Sequence, residues 1–226
     1  MLILRGGFMY DNNIKTDWNN YYKERKKNNS KIILAITRNT RKITDNIIIN
    51  MLKKTKLNIN SIIELGGADS CFYETLRKEF NNCDYTVIDN SKVGIDIFNE
   101  KYKDDKTKAI YQDILLENII DLKSDLVFSA GLIEHFNIDD TSKMIQKHFH
   151  FCNDNGLVLI TFPTPTILYR ILRKISEIIG IWEFPDERPL KKQEVLSECK
   201  KYGNVLEVKL NWLIGLTQYI ILFKKF

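Results

Sequence analysis

Four short stretches of this chain carry the side chains best suited to hold a polar ligand. The first, Glu64-Leu65-Gly66-Gly67-Ala68-Asp69-Ser70, sets an acid before a turn of small residues. Small side chains let backbone N–H groups and the N-terminus of a following helix come close to a ligand. The second, Val87-Ile88-Asp89 with Asn90 after it, ends an apolar run in a carboxylate. Such a carboxylate can accept hydrogen bonds from both hydroxyls of a ribose. The third, Gln112-Asp113-Ile114, offers one carboxylate and one backbone N–H to an adenine edge. The fourth runs from Phe128 and Ser129 through Gly131 to Glu134-His135-Phe136. Singly, an acid at a strand end is commonly a helix cap. The order and spacing of the four together carry the reading.

The elements that must position them alternate. Ser61–Leu65 reads as a strand, with a helix over 71–80. A strand at 85–89 precedes a looser helix near 93–102, and 109–111 continues as a strand into Asp113. A strand at 125–129, a helix over 140–152 and a strand at 156–162 follow. Short apolar strands separated by helical segments predict a parallel sheet covered on both faces. Residues 204–212 and 218–223 are strands with too short a link for a helical crossover, so that pair is expected to be antiparallel. The four candidate stretches then fall at the C-terminal ends of four successive strands, where open α/β sheets bind ligands. Upstream, 17–27 predicts a short helix with Trp18, Tyr21 and Tyr22 along it, and 40–56 a second helix. Residues 1–14 show no periodic pattern, and either Met1 or Met9 can be the start.

In joint order and spacing, the four stretches resemble the small-molecule branch of the class I S-adenosylmethionine-dependent methyltransferases (the type 11/12-like group). The resemblance covers roughly residues 60–165. It implies a Rossmann-like doubly wound sheet of seven strands, mostly parallel with one antiparallel strand at the C-terminal end. It divides the chain into a helical segment over the cofactor site, 1–58, and a core, 59–226. S-adenosylmethionine is the implied cofactor and S-adenosylhomocysteine the product. Glu64 would meet the methionine end of the cofactor beside Gly66 and Gly67. Asp89 with Asn90 would hold the ribose, and Asp113 with Ile114 the adenine. Ser129 and Gly131 would line the floor near the methyl group. Two positions depart from the pattern acid-x-Gly-x-Gly-x-Gly, because Ala68 and Ser70 replace the second and third glycines. A subset of the family builds a metal site from Glu-x-x-Glu-His, but Gly131 stands where its first Glu would be, so no metal is expected.

A sulfonium methyl is already activated, so the protein must chiefly position the acceptor and remove its proton. His135, whose kind titrates near about 6.5, can be that base or can simply line the pocket. Glu134 is expected to orient neighbours or the acceptor's amino or hydroxyl group. His148 and His150 read as packing or surface residues.

Between the fifth strand and the next helix lies an insertion, 163–189. Its stretch 167–182 places Ile167, Leu168, Ile171, Leu172, Ile175, Ile178 and Ile179 on one helical face, with Arg170, Arg173, Lys174 and Glu177 on the other. One reading is a lid helix docked on the domain; the other is peripheral contact with a membrane surface. Trp182, Phe184 and Arg188 follow in a loop and suit an acceptor with a flat or sugar-like body and an anionic group.

With 226 residues the chain can bury the core of one α/β domain. The net charge of +5 comes without an Arg/Lys block, and no base-flipping signature follows the fourth strand. A nucleic-acid substrate is therefore disfavoured. The four cysteines form no CxxC and accompany no secretory signal, which suggests free thiols in a reducing cytoplasm. The expected activity is methyl transfer to an oxygen or nitrogen of a small molecule, such as a sugar or surface-polysaccharide precursor. A quinone-like or lipid acceptor at a membrane surface is an alternative. Other rivals are a nicotinamide-dependent oxidoreductase and a non-catalytic Rossmann-like binding protein. Nothing in the sequence sets the oligomeric state.

Overall fold

A computed structural model describes residues 2–5, 8–11, 15–27, 31–116 and 120–226, with side chains described for 15–24, 39–116 and 120–226. Met1, one of the two candidate starts, lies outside the described residues. Strands β1 (Leu2–Arg5) and β2 (Phe8–Asp11) pair antiparallel, in a stretch where the sequence shows no periodicity. Helices α1 (Trp18–Lys27) and α2 (Lys31–Lys54) follow, α2 beginning earlier than its apolar spacing suggests.

The core is a seven-stranded sheet. Its strands are β3 (Ser61–Leu65), β4 (Asp84–Asp89), β5 (Thr107–Tyr111), β6 (Ser124–Ala130), β7 (Cys152–Pro163), β8 (Gly203–Asn211) and β9 (Gln218–Lys225). They lie in the order β5-β4-β3-β6-β7-β9-β8, and β9 alone runs antiparallel to its neighbours β7 and β8. This is the expected Rossmann-like sheet. The chain moves outward from β3 to β5 and then returns to β6 on the other side of β3. That reversal makes a switch point between the C-terminal ends of β3 and β6, where a crevice opens in such sheets.

Period-two alternation sorts the strand residues between two cores. Ile62, Tyr85, Val87, Leu126 and Phe128 pack with α2, α3 (Tyr73–Glu79) and α4 (Lys92–Lys101). Ile63, Leu65, Val127, Val158 and Ile160 pack with α5 (Ile138–Phe151) and α7 (Lys192–Cys199). Asn137 starts α5 by accepting from Asp140 N, and Ser91 starts α4 by accepting from Gly94 N.

The insertion forms helix α6 (Ile167–Ile178), capped by the Thr166 hydroxyl. It docks on the domain the other way round from an ordinary amphipathic helix. Tyr169 and Arg173 are its buried residues, while Ile167, Leu168, Ile171, Ile175, Ile178 and Ile179 are exposed. Arg173 lies opposite the isoleucines, as its spacing predicts, but that face is the one turned toward the domain. Its guanidinium donates to Glu177 (2.9 Å) and to the Glu187 carbonyl (2.9 Å), and lies 4.8 Å from the Trp182 ring. Those partners satisfy a charge that burial would otherwise penalise.

Candidate active site

The loop after β3 is shaped by its glycines and by Asp89. Gly66 adopts φ +71°, and a Cβ there would stand 2.7 Å from Leu132 Cδ1, on the loop after β6. A Cβ on Gly67 would lie 2.3 Å from the Glu64 carboxyl carbon. No side chain fits at either position without displacing a neighbour. Asp89 ends β4 and is 6 % exposed; its two oxygens accept from Ala68 N (3.1 Å) and Ser91 N (2.7 Å). The carboxylate thus ties the β3 loop to the start of α4. Burial holds its pKa above the ordinary value, and those N–H donors offset only part of the rise.

The two departures from the glycine pattern have local partners. Ala68 faces Gly94 of α4, where an added Cβ would stand 2.3 Å away. The Ser70 hydroxyl accepts from Phe72 N and Tyr73 N and so starts α3. Glu64 is buried and accepts from Tyr85 Oη at 2.6 Å, and desolvation raises its pKa to about 7 despite bonds from Ser70 and Tyr85. From α1, the Asn19 side chain accepts from Ser91 Oγ and Val93 N. This brings the N-terminal segment against the β4 end of the crevice.

The remaining expected ligand contacts are placed less directly. Asn90 and Asp113 are exposed, Asp113 Oδ1 accepts from Leu115 N, and Ile114 is buried. Ser129 turns toward α5, because alternation along β6 puts it on the same face as Val127. Its hydroxyl meets His148 Nε2 at 2.8 Å, and His148 Nδ1 lies 2.7 Å from the Met144 carbonyl. Burial lowers the His148 pKa to about 4, so it is a neutral core histidine; His150 sits at the surface. Gly131 adopts φ +71° at the end of β6, and a Cβ there would be 3.1 Å from Glu134 Oε1.

Glu134 and His135 lie in a short 3-10 turn, Ile133–His135, directly after Gly131 and Leu132. Glu134 is 2 % exposed and its Oε2 has no hydrogen-bond partner. Burial, reinforced by Glu187 and opposed by His135, raises its pKa to about 8. His135 Nδ1 lies 3.0 Å from Asp186 Oδ1. Burial pulls the His135 pKa down, but Asp186, Glu134 and Glu187 outweigh it and leave it above the ordinary value. Asp186, lowered by that same pairing, also accepts from Thr16 N at 2.9 Å and Thr16 Oγ1 at 2.5 Å. Glu187 is buried, accepts from Tyr169 Oη, and stands 3.9 Å from Arg173 Nη1.

Three segments distant in sequence thus meet here: residues 16–21, the turn after β6, and the loop after α6. Aromatic rings close over them. Trp18 is 4.9 Å from the His135 ring and 5.9 Å from Phe184, and Phe184 is 5.4 Å from Tyr21. Of the three expected acceptor contacts, only Phe184 lies against His135, at 5.7 Å. Trp182 bonds through Nε1 to the Phe184 carbonyl and lies over Arg173. Arg188 is buried and committed, with Nη1 to Glu194 at 2.6 Å and Nη2 to Thr141 at 3.1 Å, while its N–H donates to the Glu134 carbonyl. It staples the turn after β6 to α5 and α7.

Sequence reasoning missed Asp186, Glu187 and Thr16. The acidic pair beside Pro185 was the available signal, but it read only as an ordered loop. Glu187 also removes the ground on which a metal was excluded. A ligand atom from each of Glu134, His135 and Glu187 lies within 4.8 Å of the others, so a third donor is present although Gly131 is not one.

No protein-family model matches the chain, and no curated protein does. Solved structures do. Magnesium protoporphyrin IX methyltransferase (ChlM) from Synechocystis PCC 6803, with bound S-adenosylhomocysteine, aligns over 86 % of this chain and 87 % of its own at TM-score 0.65 and 13 % identity. The N-methyltransferase NodS from Bradyrhizobium japonicum WM9, also in complex with S-adenosylhomocysteine, aligns over 79 % and 84 % at 0.59 and 13 %. A TehB-like methyltransferase from Corynebacterium glutamicum aligns over 79 % and 86 % at 0.57 and 14 %. The chain has the class I methyltransferase fold. At these identities the likeness is one of fold, and the chemistry must be argued from the crevice of this chain.

Proposed function

We propose that this protein is an S-adenosylmethionine-dependent methyltransferase that transfers a methyl group to an oxygen or nitrogen of a small molecule. The observation that carries it is the meeting of the β3 and β6 loops at the switch point. Asp89 lies on one side of that junction and the unpartnered Glu134 oxygen on the other. The residues present fit the cofactor's chemistry, because Asp89 retains lone pairs for ribose hydroxyls and the two glycines hold the β3 loop tightly against Glu64 and Leu132. Glu64 would face the methionine end, and Asp113 with the Ile114 N–H would meet the adenine. When bound, S-adenosylmethionine supplies a methyl on a sulfonium centre, already activated toward attack.

In this proposal Glu134, not His135, takes the acceptor's proton, at Oε2. A carboxylate with a pKa near 8 is a far stronger base than an ordinary one. His135, its pKa raised by Asp186, Glu134 and Glu187 against the pull of burial, is held by Asp186 beside the aromatic rings. The reaction needs no metal on this reading, because the cations facing Glu134 and Glu187 are His135 and Arg173.

The acceptor remains a proposal at the level of class. A sugar or surface-polysaccharide precursor fits the aromatic wall of Trp18, Tyr21 and Phe184. The commitment of Arg188 to Glu194 and Thr141 takes away the anion handle first assigned to it. A second reading, an apolar quinone-like or lipid acceptor, is favoured by the exposed isoleucines of α6. Free thiols at all four cysteines suit a cytoplasmic setting. The test is methyl transfer from isotope-labelled S-adenosylmethionine to fractionated metabolite and lipid extracts. Label in a small molecule that depends on Glu134 supports the proposal; no transfer to any fraction contradicts it.

A further inference from the structure

The outer face of α6 is the largest feature that the crevice does not use. Successive residues of a helix are separated by about 100°, so Ile167, Ile178, Ile171, Ile175, Leu168 and Ile179 form one continuous stripe. Tyr169 and Arg173 point to nearly the opposite side, into the domain. The stripe is open: Ile167 is 79 % exposed and Ile178 73 %. Ile181 continues it beyond the helix end. The turn between β8 and β9 packs beside it, since a Cβ on Gly215 would touch Leu172 at 2.8 Å, and that turn carries exposed Trp212 and Leu213. Contiguous aliphatic surface of this kind is uncommon unless something covers it.

The occupant is indicated by what borders the stripe. Arg170 and Lys174 project along one edge, both exposed. Glu177, the acid on this helix, bonds to Arg173 at 2.9 Å and lies 3.8 Å from Lys174 through its other oxygen, so the exposed edge keeps a net positive charge. An apolar arc of Ile and Leu, edged by cations and accompanied by an exposed indole, is the pattern of a helix lying in a membrane interface. No described helix is long and apolar enough to cross a membrane, so the contact is peripheral.

We propose that α6, with the Trp212–Leu213 turn, docks this protein on an anionic lipid surface. The stripe enters the boundary between headgroups and acyl chains, and Arg170 and Lys174 meet lipid phosphates. The opposite face of the same helix holds Glu187 through Tyr169 and Arg173, so docking sets the acidic cluster close to the lipid. An acceptor held in the bilayer would then reach the crevice without crossing bulk water. This goes beyond methyl transfer, and its test does not depend on it.

Co-sedimentation of the full chain with phosphatidylcholine vesicles, with and without phosphatidylglycerol, tests it. The expected result is retention on the phosphatidylglycerol vesicles that weakens as salt rises. The double variant Ile171→Glu/Ile175→Glu should lower partitioning by about tenfold or more. Both side chains are exposed, so the fold should survive, and unchanged S-adenosylhomocysteine affinity checks this. Arg170→Glu/Lys174→Glu should also weaken retention and remove its salt dependence. Absence of vesicle binding by the wild type would overturn the proposal. So would a wild-type dimer that Ile171→Glu/Ile175→Glu converts to monomer, because the stripe would then belong to a second copy.

Discussion

The two sides of the crevice are built on different physics. On the β3–β4 side the working groups are backbone amides and one carboxylate within a single βα unit. Asp89 receives Ala68 N and Ser91 N, 21 and 2 residues away, although Asn19 of α1 also reaches Ser91 and Val93 from 72 and 74 residues upstream. On the β6 side the groups are ionisable side chains from segments as far apart as Thr16 and Asp186, 170 residues distant. Glu134, His135, Asp186 and Glu187 are buried together, so each sets the charge of the others. In the proposed function the first side would hold the cofactor and the second would face the acceptor. A coupled acidic cluster is also the more sensitive to pH and to the loss of one member.

The sharpest break between the two sides is Glu134→Gln. It should cut methyl transfer by about 10²–10⁴-fold, the range for losing a general base, and leave S-adenosylhomocysteine affinity near wild type. The wild-type rate should climb with pH through about 8, and that limb should vanish in the variant. Equal losses of rate and cofactor affinity would mean that the sides are not separate.

Arg188→Ala comes next, and its effect should be on stability. Removing a buried guanidinium that bridges Glu194 and Thr141 should cost somewhat less than the about 3–5 kcal/mol of a fully buried pair, because Glu194 is partly exposed. Chemical denaturation measures this, and an unchanged midpoint with a raised acceptor KM would return Arg188 to the acceptor site.

Shared by both sides is a dependence of stability on pH. Glu64 and Glu134 rise from 4.5 to about 7 and about 8. Between those values the folded chain keeps protons that the unfolded chain has released, so stability falls as pH rises through that window. His135, also raised, adds in the same direction: its contribution is present below its ordinary pKa and lost as pH rises through the raised value. Urea midpoints should therefore decline from about pH 5 to about pH 8, less steeply in Glu64→Gln and Glu134→Gln, by up to about 1.4 kcal/mol per unit and group. His148, lowered to about 4, opposes this trend below about 6.5, so a stability that rises between about pH 6.5 and 8 would contradict the burial of these acids. The smallest expected effect is that of EDTA, which should leave methyl transfer intact. Loss restored by magnesium or manganese would convert Glu134, His135 and Glu187 into a metal site.

The same contrast explains what the sequence made legible. The succession of strands and helices, the antiparallel pairing of β8 with β9 and the β3 turn follow from short-range patterns: alternation, small residues at a turn, a link too short for a crossover. Ser129 shows where position outruns orientation. Its place at the end of β6 is readable, but the side it faces depends on the pleat, which turns it to His148. α6 shows the same for helices. Its apolar face is evident from spacing, yet the face that turns inward is the one whose Tyr169 and Arg173 meet Glu187, nine residues beyond the end of the helix. Arg188 and Asp186 were visible as charged residues, but their partners are 6, 47 and 170 residues away, and no periodicity reports such a pairing.

The central claim is that the β3–β4 side holds the methyl donor, and titration calorimetry with S-adenosylhomocysteine and NAD tests it most directly. The account predicts saturable one-site binding of S-adenosylhomocysteine, no binding of NAD, and an affinity loss of about 1.5–3 kcal/mol in a folded Asp89→Ala variant. Binding of NAD in its place, binding of neither, or an affinity that ignores Asp89 would contradict it.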